Sequence, residues 1–553
     1  MQAFLDVFGF ITVLLRGLDL VARTVLLGTV LFALVGVPRG ILPLLATGEI
    51  ENAVRRTMIV AAAATIAVSL SATLVNAAML GASLDLPLAD AAGAVFVAAG
   101  VAQAAAAAGI IVLTFVRARN DAARKVALVT LAAMILLAAL ADSHAIARIS
   151  RSVMLSVATL THQLGAALWL GGLPCFHAAL RCAPDAQTAA ALGRRYSMLA
   201  ITGVSMILAG ALVFIAYYIG SAAGAYGTAY GAMAITKTAF LAILLLLGFH
   251  NYRTFRRMTP DADASPLALR FVGIEMGIAA TLLMTAASMS SAPPAVDLGD
   301  DRVTLAELAT RWTPMLPRLT SPDHDSLAIP ALQAQLDAEW RAHGSAMGPS
   351  AYVPGASATS RRNASDVAWS EYNHHWSGLL VLAIGVAALL ARSGRARWSR
   401  HWPMLFAGIA VLLLLRGDPE VWPLGTIGLI ESLKDPEVLQ HRLFALLAIG
   451  FAIFEWRVQT GRAVSLRAQR VFPLLIAVGA TLLVAHSHAL GNVKEEVLTE
   501  TTHLPIAVLG VVAGWSRWLE LDAPDAVDGR MAAWLWPTCF VLIGLLLLNY
   551  REA

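Results

Sequence analysis

Charged residues are scarce in this sequence, since Asp, Glu, Lys and Arg make up 14% of its 553 residues. A soluble globular protein contains about a quarter of such residues, so the scarcity excludes an ordinary soluble enzyme. Intrinsic disorder is excluded as well, because 58% of the residues are hydrophobic. Cysteine is rare too: Cys175, Cys182 and Cys539 are too few for a disulfide framework.

Several functional motifs are also missing. The N-terminal stretch has neither a basic segment nor a small-residue cleavage site, so we expect no removable signal peptide. The lysines form no phosphate-binding loop with glycine, which argues against a nucleotide-driven pump. The net charge of +4 is not a sign of a nucleic-acid partner. In a membrane protein, an excess of Lys and Arg usually reflects the topology of the chain. We therefore expect a protein of the lipid bilayer that is not an enzyme.

Long apolar runs dominate the chain. Each is near the length of about 20 residues that a helix needs to cross a bilayer. The fourteen runs cover residues 17–37, 57–80, 93–116, 126–145, 153–176, 197–219, 232–252, 268–290, 376–391, 402–416, 441–456, 471–490, 503–518 and 531–549. Because only helices and closed barrels satisfy their backbone groups in lipid, the runs predict an all-α polytopic transmembrane helical bundle of about 14 spans.

Lys and Arg are concentrated in alternate connections between these runs. The positive-inside rule places those connections in the cytoplasm, with both termini on the opposite side. One outward connection, 291–375, is long, polar and rich in proline. It predicts a small extracytoplasmic cap between spans 8 and 9, with a short amphipathic helix near Leu327–His343. The expected domains are thus an eight-span domain at 1–290, the cap at 291–375 and a six-span domain at 376–553.

The positions of the thirteen histidines are uneven. His177, His250 and His401 lie at cytoplasmic ends of spans, and the other ten lie outside or in the outer parts of spans. Histidine is the commonest metal ligand, and a polar residue inside a membrane needs a partner or a task. This distribution predicts a transition-metal site on the outer side, although a single helical histidine is also a common packing residue.

Two histidine pairs form an apparent internal repeat. Span 4 ends in Ser143-His144-Ala145 and span 5 carries Thr161-His162, while span 12 ends in Ser487-His488-Ala489 and span 13 carries Thr502-His503. Transporters use such duplications to build a site between repeats. We therefore predict that His144, His162, His488 and His503 bind the metal.

Further candidate ligands surround these four. Met154 precedes His162 by two helical turns and offers a thioether for a soft metal. His486 and His488 point about 200° apart on a helix, and His374 and His375 about 100° apart, so neither pair can hold one ion on a straight helix. The outward residue His441 completes the set. A different interpretation, a b-type haem between His162 and His503, remains open.

Two charged residues fall inside predicted spans, Lys237 in span 7 and Glu275 in span 8. Lys237 is expected to extend its ammonium group toward the outer surface. Glu275 is expected to pair with Arg253, Arg256 or Arg257 at the cytoplasmic side.

Two stretches of the chain resemble the copper resistance protein D (CopD) family of bacterial inner-membrane proteins. The first contains THQLGAALWLGGLPCF at 161–176, RRYSMLAITGVSMILAGALV from Arg194 onward, and Asn251-Tyr252-Arg253, within roughly 150–290. The second contains NHHWSGL at 373–379, DPEVWPLG at 418–425, LQHRLF at 439–444, FEWRVQTGR at 454–462 and HSHALGNVKEE at 486–496.

The resemblance implies a function in copper homeostasis. It implies movement of copper, as Cu+ or Cu2+, across the bacterial inner membrane beside a periplasmic copper-binding protein, and we expect uptake from the periplasm. A copper sensor or scaffold that does not transport is the other function that remains open. Direction and oxidation state are not set by the motifs.

Overall fold

The computed structural model describes residues 2–36, 48–84, 87–116, 120–148, 151–258, 265–299, 301–342, 351–352, 362–462, 465–485 and 493–552. It is 84% helical, and no strand occurs in these ranges. Fourteen helices are long and apolar enough to cross a membrane. They are α1 Ile11–Gly36, α2 Glu49–Leu84, α3 Val95–Phe115, α4 Asp121–Ala141, α5 Ser152–Arg181, α6 Ala186–Ile219, α7 Ala229–Arg257, α8 Ala268–Met289, α9 Ala364–Ser393, α10 Arg397–Arg416, α11 Val438–Gln459, α12 Leu466–Val484, α13 Val493–Asp522 and α14 Val527–Leu548. The predicted all-α polytopic bundle is confirmed.

Helix α9 starts twelve residues before the apolar run that predicted it. A capping box explains the early start: the Asn363 side chain accepts hydrogen bonds from the backbone N–H groups of Ser365 (2.8 Å) and Asp366 (3.0 Å). The Asp366 carboxylate accepts the Asn363 N–H in return, at 2.7 Å. His374 and His375 therefore lie within a continuous helix.

The predicted cap region contains two helices in its described parts. Ala328–Ala342 confirms the short helix expected near Leu327–His343. A second helix, Leu305–Trp312, begins with a capping box between Thr304 and Glu307. Hydrogen bonds from Thr304 (backbone N–H, 2.6 Å, and hydroxyl, 2.7 Å) and then from Lys494 lower the pKa of the Glu307 carboxyl to about 2.

The chain forms two compact units. We call residues 11–225 and 233–299 the N-terminal unit, and residues 300–553 with 1–10 and 226–232 the C-terminal unit. The division expected from the sequence, at 1–290, 291–375 and 376–553, stays a prediction.

The N-terminal unit is packed around aliphatic side chains. Leu26, Ile110 and Ile135 are fully buried in one cluster. In α5, a π-helical turn over Ala167–Gly171 brings the backbone against α1, and a Cβ atom on Gly171 would lie 1.9 Å from the Thr24 carbonyl oxygen. A glycine is required at this contact, because any side chain would overlap the neighbouring backbone.

The C-terminal unit has an aromatic core that includes Trp402, Phe472 and Trp536. Beside the core lies a buried ion cluster centred on Arg517 of α13, which is 7% exposed. Its guanidinium group lies 2.7 Å from the Glu520 carboxylate and 3.6 Å from Glu455 of α11. Trp536 Nε1 donates to Glu520 at 2.8 Å, and Arg392 of α9 also pairs with Glu520. Such a charge is tolerated inside a membrane protein because it is paired.

Candidate metal sites and a buried carboxylate

His374 of α9 and His503 of α13 form a pair of imidazoles in the C-terminal unit. Their ring centroids are 6.1 Å apart and their planes are perpendicular, at 89°. His374 Nδ1 is hydrogen-bonded to the Ser370 carbonyl oxygen at 2.8 Å, and His503 Nδ1 to the Thr499 carbonyl oxygen at 2.9 Å. Each contact spans one helical turn, so each helix fixes the orientation of its own ring.

These hydrogen bonds also set the tautomers. A carbonyl oxygen can only accept, so the Nδ1 atom of each neutral ring carries the proton and Nε2 is the acceptor nitrogen of the ring. This is the arrangement in which proteins present histidine to a metal ion. An ion bound at about 2 Å from one nitrogen of each ring would separate the two ring centres by roughly 6 Å. The observed centroid distance matches that of a two-imidazole site.

Tyr550 completes the surroundings of the pair. Its ring stacks on His374, with centroids 3.8 Å apart and an interplanar angle of 18°, and meets His503 edge-on at 5.8 Å. The Tyr550 hydroxyl donates a hydrogen bond to Glu552 at 3.0 Å. Burial, followed by the charge of Glu552, raises the pKa of Tyr550 above its usual value, so this hydroxyl stays protonated.

Glu552 supplies negative charge beside the pair. Burial alone would raise its pKa, but the hydrogen bond from Ser370, the nearby His374 and the positive charge of Arg362 outweigh that effect, and the net shift is downward. Arg362 lies 3.4 Å from its carboxylate. The carboxyl group is therefore ionised at neutral pH, which favours a cation at the imidazoles. The guanidinium group of Arg311 lies 5.1 Å from the Tyr550 ring centre. Its positive charge disfavours a cation at the imidazoles.

His375 is committed to the fold. It is fully buried; its Nδ1 accepts the Arg318 backbone N–H at 2.7 Å, and its Nε2 donates to the Tyr550 carbonyl oxygen at 2.9 Å. Both ring nitrogens are used, so in this conformation no lone pair remains for a metal.

His441 forms an ion pair with Asp418. The distance from Nδ1 to the carboxylate is 2.6 Å, and Arg442 lies 3.7 Å from the same side chain. Nearby, His324 Nε2 contacts the Pro419 carbonyl oxygen at 2.7 Å. The carboxylate orients the His441 ring, while His324 is engaged by the backbone.

His162 packs between α5 and α6 in the N-terminal unit. Its Nδ1 contacts the Ile207 carbonyl oxygen at 3.0 Å, and its ring centroid lies 5.3 Å from that of Phe214. Gly210 allows this approach, because a Cβ there would be 2.8 Å from the His162 Cβ. The Lys237 ammonium acts electrostatically on the ring, which opposes binding of a cation at His162.

The other expected ligands are only partly described. The side chain of His144, and all of His486 and His488, lie outside the described residues, so the shallow histidines of the repeat stay a prediction. Met154 is described and is 37% exposed. His162 and His503 belong to different units, and the haem pairing also stays a prediction. Across the described ranges, no three His, Cys, Asp or Glu side chains come together as a metal cluster.

Glu275 does not use the cytoplasmic arginines that the sequence suggested. Its Oε1 accepts a hydrogen bond from Trp169 Nε1 at 2.8 Å and its Oε2 accepts one from Asn251 Nδ2 at 2.7 Å. The Tyr196 hydroxyl donates to the Trp169 carbonyl oxygen beside them. Among the described residues these two N–H donors, and no cationic side chain, pair with the buried carboxylate, which the sequence did not indicate.

A cavity of about 410 Å³ lies next to this carboxylate. Its lining includes Trp169, Tyr196, Asn251 and Glu275, from four different helices. One signal for this grouping is present in the sequence, because Trp169, Tyr196 and Asn251 all fall in motifs on which the family resemblance rests.

Comparison with known families agrees with that resemblance. Residues 190–289, which contain Tyr196, Asn251 and Glu275, match the family model of copper resistance protein D, CopD. No curated protein and no solved structure shows a significant match to the chain.

Proposed function

We propose that the chain, whose residues 190–289 match the family model of copper resistance protein D, transports copper ions across the bacterial inner membrane. Its many spanning helices and its family establish a multi-pass membrane protein related to copper resistance. We propose in addition that the copper ion is taken up from the periplasm. Both termini of the chain lie in the periplasm in this proposal.

The observation that carries the proposal is the pair formed by His374 and His503. Imidazole suits copper, which stands at the top of the affinity order for divalent metals. The two rings, with centroids 6.1 Å apart, are the candidate two-coordinate site on which this proposal rests. Under the proposed orientation, the pair lies toward the periplasmic end of α9 and α13, where a periplasmic copper-binding protein would deliver copper.

Copper accumulation in cells tests this proposal. His374→Ala and His503→Ala are each expected to lower copper uptake and the copper content of the purified protein. His324→Ala is the matched control, because His324 lies in the same unit and contacts a carbonyl oxygen. Expression and membrane insertion of all variants are checked by immunoblotting of membrane fractions.

Unchanged uptake in both pair variants would contradict the proposal. If copper content falls but uptake does not, the pair binds copper in a sensor or scaffold, and transport is rejected.

A further inference from the structure

The cavity beside Glu275 has a floor made of hydrogen-bond acceptors. Each Glu275 oxygen accepts one hydrogen bond and has room for a second. Asn251 uses its Nδ2 to reach Glu275, and its Oδ1 is buried and has no hydrogen-bond partner within the described residues. A buried acceptor without a partner costs free energy. The floor is therefore complementary to a ligand that brings hydroxyl or other donor groups.

The walls of the cavity are aromatic. Six of the sixteen lining residues are Phe, Tyr or Trp, whereas these types make up 7% of the chain. Phe176 stacks on Tyr196 with centroids 4.3 Å apart and packs edge-on against Phe255 at 5.6 Å. These contacts hold the rings in place, and an aromatic wall favours a planar aromatic ligand.

The cavity opens at the depth of the membrane interior. Ile201 of α6 and Phe249 of α7 line it and are 56% and 57% exposed. Ile201, Glu275 and Trp169 each lie within four residues of the midpoint of their spans. At the level of these three residues a lipid-soluble molecule can enter from the bilayer, while Asn251, Tyr252 and Phe255 line the part of the cavity nearer the end of α7 at Arg257.

We propose that this cavity binds a lipid-soluble hydroquinone, with its ring against the aromatic wall and its hydroxyl groups donating to Glu275 and Asn251 Oδ1. A volume of about 410 Å³ accommodates a substituted benzene ring and the start of an alkyl chain. The chain leaves between α6 and α7 past Ile201. This binding function does not depend on copper transport, because it rests on contacts inside the N-terminal unit.

Binding is tested on the full-length protein in nanodiscs of synthetic phosphatidylcholine. The probe is a tritium-labelled decyl benzohydroquinone kept reduced, and its dimethyl ether, which lacks both donors, is the matched ligand. The hydroquinone is expected to bind at one per chain, and the ether about tenfold more weakly, the effect of one hydrogen bond to a charged group. Glu275→Gln is expected to weaken hydroquinone binding by a similar factor.

A second variant guards against misfolding. Val204→Trp fills the cavity from α6 without changing the carboxylate, and is expected to abolish binding. Val129→Trp places the same side chain on an exposed position of α4 and should bind normally. Equal affinity for hydroquinone and ether, or full binding by Val204→Trp, would overturn the proposal. A tightly held phospholipid that native mass spectrometry detects and hydroquinone does not displace would overturn it as well.

Discussion

His374 and His503 hold their rings perpendicular at 6.1 Å, and each ring is oriented by a carbonyl oxygen one turn earlier in its own helix. These hydrogen bonds limit the rotation of both rings, so the helices α9 and α13 determine how the two imidazoles face each other.

Copper binding by the two rings should be non-additive. We expect His374→Ala and His503→Ala each to weaken copper affinity strongly, and the double variant to be little weaker than either single one, because one remaining imidazole cannot complete the site. Competition with a chromogenic Cu(I) chelator measures the affinities. Independent, additive losses would mean that the rings serve separate sites.

His375 should matter for stability. His375→Ala leaves the Arg318 N–H and the Tyr550 carbonyl oxygen unpaired in a buried place, which costs about 1–3 kcal/mol for each unsatisfied group. Thermal unfolding in detergent should therefore show a clearly lower melting temperature for His375→Ala than for the wild type. The neighbouring change His374→Ala is the control and should lower the melting temperature less, because it removes a ring stacked on Tyr550 but leaves no buried N–H group unpaired; the reverse order would refute the assigned roles.

Glu420 should give the protein a pH-dependent stability. Burial, followed by the nearby carboxylates Asp418 and Asp366, raises its pKa from 4.5 to about 7. The folded state therefore binds this proton more tightly than the unfolded state does. The resulting stabilisation is complete below about pH 4.5 and is lost as the pH rises through about 7.

Glu420→Gln removes that loss. Its melting temperature relative to wild type should be higher at pH 8 than at pH 5. Glu307→Gln is the opposite control, because a carboxyl with a pKa of about 2 stabilises the fold at neutral pH and loses this effect in acid. A pH-independent difference for Glu420→Gln would show that the carboxyl is not buried as described.

Two glycines of the N-terminal unit should respond in opposite ways to alanine. Gly171→Ala places a Cβ at 1.9 Å from the Thr24 carbonyl oxygen, and such overpacking should cost about 1–3 kcal/mol. Gly273→Ala in α8 meets nothing within 4 Å and should be neutral or stabilising by up to about 1 kcal/mol. Equal melting temperatures would contradict the close contact of α1 and α5.

The fold was predictable because membrane spans are set by length and hydropathy, which are local properties. The ends of the helices were less predictable. Helix α9 begins at Ala364 because of a capping box, which lies in a polar stretch that a hydropathy pattern does not detect. Helix α13 likewise begins at Val493, although the apolar run starts at 503.

Pairing of side chains was the part that the sequence did not specify. The repeat suggested His488 as the partner of His503, which stays a prediction because His488 lies outside the described residues. The sequence did not indicate that His374 lies beside His503, which follows from the packing of α9 and α13 against α14 and from Tyr550 after α14. Charge alone predicted an ion pair between Glu275 and the cytoplasmic arginines. In the structure, the neutral donors Trp169 Nε1 and Asn251 Nδ2 form its hydrogen bonds instead. Such choices depend on how helices pack, which one sequence does not reveal.

The ion cluster around Arg517 bears on how the protein is made. An unpaired arginine costs about 2.5–3.5 kcal/mol on insertion at the centre of a spanning helix and less toward an end, where Arg517 lies, and α13 also carries several glutamates. Its partners Glu455 and Arg392 belong to α11 and α9, which leave the ribosome earlier. Helix α13 is therefore expected to move from the translocon into the bilayer only when α9 and α11 are already adjacent to it. Membrane insertion of this half of the chain is then cooperative.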